Sequence, residues 1–164
     1  MRLKVLLPFL VVFALATVAS AQTKVSGTLQ CAKPDQQQAM AVGDRPNHSF
    51  AISQFKCTWT KSLEIAGVQS KEDVYTQFSE VSGNRAYAQA YGVITMTNGD
   101  KCYVRPQGSG TLKDGVFESG EGKWSFAGGT GKLKGLKGKG TYKSKGAPDG
   151  TGTVEVEGEY ELPK

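Results

Sequence analysis

The side chains best suited to chemistry are few and scattered. His48 is the only histidine, with Asp44 and Ser49 close by in sequence. A Ser–His–Asp relay uses these types, but it is defined by geometry, and no nucleophile-elbow pattern is present. The spacing instead predicts a hydrogen-bonded loop histidine. One histidine and no CxxC pair do not make a zinc site, so no metal is expected. Gly128-Gly129-Thr130-Gly131-Lys132 has the composition of a phosphate loop. No Ser or Thr follows Lys132, the four-residue gap between glycines is missing, and no helical pattern follows. A tight β-turn or bulge is expected there, and no nucleotide or other cofactor.

A second group combines charge with aromatic rings: Glu80, Arg85, Tyr87, Tyr91, Tyr103 and Arg105. They fall on neighbouring strand-like segments. An inward Arg85 or Arg105 would be a buried cation in need of a partner. Glu80, opposite Tyr87 across a Gly83-Asn84 turn, is the candidate. Such a cluster in an apolar interior would form the ligand site. The alternative is surface arginines flanked by packing tyrosines. Neither arrangement specifies a catalytic set, so the residues alone lean away from an enzyme.

Residues 123–145 hold seven lysines and no acid. Taken alone, they read as a polyanion site. An acidic neighbouring strand would neutralise them. Lys132 and Lys134 then remain as anion candidates, and no nucleic-acid partner is expected.

The three cysteines are Cys31, Cys57 and Cys102. We expect a Cys31–Cys57 disulfide, leaving Cys102 as a buried thiol or a cross-link between copies. The chain start explains why a disulfide is plausible. Arg2 and Lys4 precede an apolar run, Val5 to Val18, that ends in Ala19-Ser20-Ala21. Residues 1–21 therefore read as a cleavable signal peptide. The run is too short to span a bilayer, so no membrane anchor is expected after cleavage. Export to the periplasm or beyond the cell would let a disulfide persist. Loss of Arg2 and Lys4 lowers the formal net charge from +5 to +3.

The elements that must position these residues are strands. Residues 22–164 read as one domain. Short period-two runs are separated by Gly, Asn and Asp, and no helical stripe persists. Strands are predicted over 24–30, 49–59, 74–81, 86–97, 101–112, 116–126, 136–143 and 153–162. A short helical turn is expected at Gln36–Met40, and a short strand at Leu63-Glu64-Ile65. Asn98-Gly99 and Asp114-Gly115 supply tight hairpin turns. These features predict an all-β chain forming a single antiparallel closed barrel of about eight strands, with a β-sandwich as the alternative.

In the last hairpin, Glu155, Glu157, Glu159 and Glu161 share one face of their strand. A turn about residue 148 places Lys139 opposite Glu157 and Lys137 opposite Glu159. Gly108–Gly110 and Gly138–Gly140 are read as sites of tight strand bending.

The stretch Trp124 to Gly135 resembles the GGTG/GGSG-x-F-x-G segment of the allene oxide cyclase and dirigent barrels. Gly99-Asp100, Gln107-Gly108 and Thr111-Leu112 are similar to their preceding hairpin. The likeness covers about residues 98–142, and Leu133 replaces the usual Phe. It implies an eight-stranded antiparallel barrel with an apolar cavity, often in a dimer or trimer. Family members cyclise an unstable epoxide or steer radical coupling. No catalytic residue transfers to this chain.

Three functions follow as expectations. The first is an exported barrel binding a small, largely apolar ligand. The second is an isomerase or cyclase of the allene oxide cyclase type, acting mainly by confinement. The third is a ligand-free structural protein of the envelope or extracellular space.

Overall fold

A computed structural model describes residues 22–163. The signal segment read over residues 1–21 lies outside the described residues. The strands are β1 (Thr23–Cys31), β2 (Gln36–Ala41), β3 (His48–Lys61), β4 (Glu64–Ile65) and β5 (Val68–Ser82), then β6 (Arg85–Met96), β7 (Lys101–Lys113), β8 (Val116–Gly129), β9 (Lys137–Gly146) and β10 (Gly152–Glu161). A single 3-10 turn, Gly131–Leu133, joins β8 to β9.

β3 closes the sheet. It pairs with β1 along one edge and with β5 along the other. The circuit β3-β1-β10-β9-β8-β7-β6-β5 is antiparallel throughout, giving a closed eight-stranded barrel with β2 and β4 as additions. The strands at this closure have partners on both sides, unlike the end strands of an open sheet.

Two local expectations need correction. Gln36–Met40 is not helical. Gln36–Ala41 pairs with Gln54–Ser49 as strand β2. Its Gln, Ala and Met residues favour helices, but pairing with β3 overrides that weak local preference. The C-terminal hairpin is also two residues out of the expected register. Lys139 faces Glu159, Lys137 faces Glu161 and Lys143 faces Glu155. The turn at Ala147–Gly150, closed by Gly150 N–H donating to Ala147 O at 3.0 Å, sets this pairing. Both charged rows remain on the outer face.

The barrel is packed at one end. Ile65, Met96, Leu133 and Leu136 are essentially inaccessible there, beside Leu63 and Ile94. The short β4 hairpin and the 3-10 turn carry several of these residues across the opening. Ser70 Oγ accepts from Leu63 N–H at 2.9 Å, and Tyr160 Oη accepts from Ala66 N–H at 3.0 Å, so this cover is tied to the wall. Burying one such aliphatic side chain contributes roughly 1.5–3 kcal/mol.

Interior rings lie on glycines. Tyr75 is directly opposite Gly92, Trp124 opposite Gly140, Tyr142 opposite Gly122 and Tyr160 opposite Gly138. A Cβ at Gly140 would fall 2.5 Å from Trp124 Cζ2, and one at Gly158 would fall 2.6 Å from the same atom. A Cβ at Gly27 would fall 2.5 Å from Trp59 Cζ3. These glycines, Gly138 and Gly140 of the expected bending sites among them, leave room for aromatic rings against the wall.

Candidate functional site

The half of the barrel away from the packed end is hollow. A cavity of about 330 Å³ occupies it, within the range of small-molecule sites. Its wall along β6 is made of Ala86, Ala88 and Ala90, whose short side chains point inward and leave the space unfilled. Trp59, Tyr75, Trp124 and Phe126 line the deeper part. Pro34 and Gly150–Gly152 contribute to the rim. Among the described residues, no charged side chain lines the cavity.

Under this lining sits Asp73, with no accessible surface. Its Oδ1 accepts from Trp59 Nε1–H at 2.7 Å, and its Oδ2 accepts from Tyr75 O–H at 3.0 Å. A bulge between Ser70 and Glu72 precedes Asp73, whose cross-strand neighbours are Cys57 and Ile94. Burial raises its carboxyl to about 7, against the two hydrogen bonds that favour the ionised form. Burial and the nearby Asp73 push the Tyr75 hydroxyl well above its ordinary value. Burial and Asp73 also push the Cys102 thiol up to about 12. Both groups therefore stay neutral where Asp73 titrates.

Cys31 and Cys57 form a disulfide between β1 and β3, as expected, with Cys31 lining the cavity. Cys102 is a buried free thiol.

The six polar and aromatic candidates lie elsewhere. None lines this cavity. Arg85, Tyr87 and Tyr91 alternate with the inward alanines of β6, so they occupy its outer face. Tyr103 and Arg105 occupy the outer face of β7. Tyr91 and Tyr103 stack with centroids 6.1 Å apart, and the Arg105 guanidinium lies 5.7 Å from the Tyr91 centroid. Arg105 is thus an exposed cation over a ring rather than a buried one. Glu80 faces Tyr87 across the ladder, as expected, but its contact is His48.

His48 is buried at the start of β3. Its Nδ1 lies 2.5 Å from Asp44 Oδ1, and its Nε2 lies 3.0 Å from Glu80 Oε1. Only the imidazolium donates to both carboxylates. Asp44 and Glu80 raise the pKa of His48 above its ordinary value, against burial and Arg45. Both ring nitrogens face carboxylates, so among the described residues no serine completes a relay in this cluster. Among the described residues, no group of three or more His, Cys, Asp or Glu is placed to hold a metal ion.

The Gly-rich stretch, read as a tight β-turn or bulge, ends β8 opposite a bulge between Tyr103 and Val104 and then enters the 3-10 turn Gly131–Leu133. Thr130 Oγ1 accepts from Lys101 N–H at 2.8 Å, and Asp100 Oδ2 accepts from Lys132 N–H at 3.1 Å. Lys132 and Lys134 are exposed.

Alternation alone could have shown that β6 presents Ala86, Ala88 and Ala90 on one face and bulky groups on the other. Asp73 shares its face with Tyr75 and Gln77, a signal the expected strand limits cut off at residue 74.

The architecture is therefore a closed antiparallel β-barrel with a packed end and an uncharged cavity at the other. No protein family's sequence profile matches the chain, and no curated protein matches it in sequence. Among solved structures, it is similar to a pterocarpan synthase dirigent protein. That match has 12% sequence identity over 87% of this chain and 90% of the other, with a TM-score of 0.45.

Proposed function

We propose that the chain is an exported binding barrel that takes a small, uncharged, largely apolar molecule into its cavity. The observation that carries this reading is the open volume lined mainly by aromatic and small aliphatic side chains, with a few neutral polar groups such as Gln77 and Ser144 and, among the described residues, no charge. Burying apolar ligand surface there gives roughly 25 cal/mol per Å². An ionic ligand would leave its charge unpaired in the same lining, which is costly. The Cys31–Cys57 disulfide supports an oxidising compartment, periplasmic or extracellular.

The test is titration with the neutral fluorophore N-phenyl-1-naphthylamine, with native mass spectrometry of protein from its own host. The fluorophore is expected to saturate at one site. Ala88→Phe, which adds a ring to the cavity wall, is expected to weaken that binding at least tenfold. Binding that survives in the variant, or no binding by the native chain, sinks the proposal.

One observation favours a second reading, an isomerase or cyclase: Tyr75 borders the cavity while hydrogen-bonded to a buried carboxyl. Incubation with an unstable allylic epoxide would then yield one product enantiomer in excess. A racemic product formed at the buffer rate rules it out. The ligand-free structural reading has no comparable observation behind it.

A further inference from the structure

Asp73 is placed to sense what fills the cavity without touching it. Trp59 from β3 and Tyr75 from β5 line the cavity, and each donates a hydrogen bond to this carboxyl. Of the titratable or charged groups around it, Glu72 is its neighbour on β5, while Tyr75 and Cys102 face it from β5 and β7. Cys57, its cross-strand partner on β3, is held in the disulfide. Ile94 is its neighbour on β6. Among the described residues no cation compensates it, so its ionised form depends on the two ring hydrogen bonds and on whatever polarisable medium lies nearby.

That medium is the cavity. A volume of about 330 Å³ has room for roughly ten water molecules. Water there would stabilise a carboxylate across a thin wall of side chains. An apolar guest replaces it with a medium of low polarisability and penalises the charged form. Reciprocity then requires a proton on the carboxyl to favour the guest.

We propose that filling the cavity and protonating Asp73 are linked, so that an uncharged apolar guest enters with uptake of a proton. This rests on the cavity being the binding site, and it adds the regulation of that site. A guest is held more firmly in mildly acidic surroundings and released as the pH rises through neutrality. The proton comes from solvent onto a carboxylate oxygen, and no covalent bond to the guest is made.

The test is calorimetric titration of the full chain with N-phenyl-1-naphthylamine near neutral pH, in phosphate and in Tris. Their ionisation heats differ, so the difference in binding heat counts protons. A fraction of a proton is expected to be taken up. Affinity at about pH 5.5 is expected to exceed that at about pH 8.5 by about five- to tenfold, set by the linked shift in protonation. Asp73→Asn retains an acceptor for Trp59 and a donor toward Tyr75, and both effects are expected to vanish in it. His48→Gln is expected to leave both in place.

Binding without proton uptake by the native chain overturns the linkage and leaves the binding function standing. Uptake that persists in Asp73→Asn, or disappears in His48→Gln, assigns the proton to another group and also overturns it. No binding at any pH removes the binding function and this inference together. Where Asp73→Asn fails to fold, the native chain's two-buffer measurement still overturns the linkage if no proton is taken up, and His48→Gln still overturns it if uptake disappears there.

Discussion

Gly140 stands directly opposite Trp124 in the β8–β9 ladder, and the indole occupies the space a side chain at Gly140 would need. The glycine does more than loosen the strand. It lets a large ring lie along the wall instead of reaching toward the barrel axis. The same arrangement recurs at Gly92 beneath Tyr75.

Gly140→Ala is expected to displace that indole. Its new Cβ would meet both Trp124 and the Glu157 carbonyl oxygen. Overpacking of this kind costs about 1–3 kcal/mol. Urea denaturation should show that loss, with a changed near-ultraviolet dichroism from the tryptophan. Unchanged values for both would contradict the ring-on-glycine arrangement.

Leu133→Ala should open the packed end. Leu133 is inaccessible on the 3-10 turn that helps cover it. The expected loss is about 2–5 kcal/mol, the usual range for a buried leucine reduced to alanine. Thermal unfolding reads it directly, and a loss below 1 kcal/mol (about the floor for a buried cavity) would mean that the cover is dispensable.

The Cys31–Cys57 bond closes a loop with a sequence separation of 26. Chain entropy gives it about 3–4 kcal/mol. Replacing both cysteines with serine should lower stability by about that amount, as measured by chemical denaturation under non-reducing conditions. Equal stability with and without the bond would show that strain or residual structure cancels the gain.

Stability should fall as pH rises, from two separate sources. Asp73 titrates near 7 in the folded chain, against an ordinary value of 3.8. Between these values the folded chain holds a proton that the unfolded chain has released, so rising pH favours unfolding. The raised His48 has the same sign, with its contribution lost as pH rises through its folded value. Asp44, lowered mainly by its hydrogen bond to His48, acts oppositely and loses its contribution in acid. Stability is therefore expected to peak in mild acid. Denaturation series from about pH 4 to about pH 9 should show a flatter decline in Asp73→Asn and in His48→Gln. A native profile that rises steadily with pH would refute both assignments.

Much of the barrel was legible because its strands alternate and its turns use Asn-Gly and Asp-Gly. The two-residue error in the last hairpin has a physical cause. Lys137, Lys139 and Lys143 repeat at even spacing, as do the facing glutamates, so a shift of two keeps like chemistry opposed. Only the turn breaks the tie. β2 was missed because its residues carry helical preference and its order comes from β3.

The cavity was hidden for another reason. Large polar residues such as Tyr87 and Arg105 attract attention in a sequence, yet here they sit outside the wall. The interior is marked by Ala86, Ala88 and Ala90, small side chains that leave space between the strands. Asp73 escaped notice because its burial depends on a bulge and on rings from two strands.

The filled end of the barrel gives its hollow half the form of a cup. A guest of the kind proposed would have to leave by the opening through which it came, past Pro34 and the turn at Gly150. Changes at that lip would then alter arrival and departure rates together, leaving their ratio nearly constant.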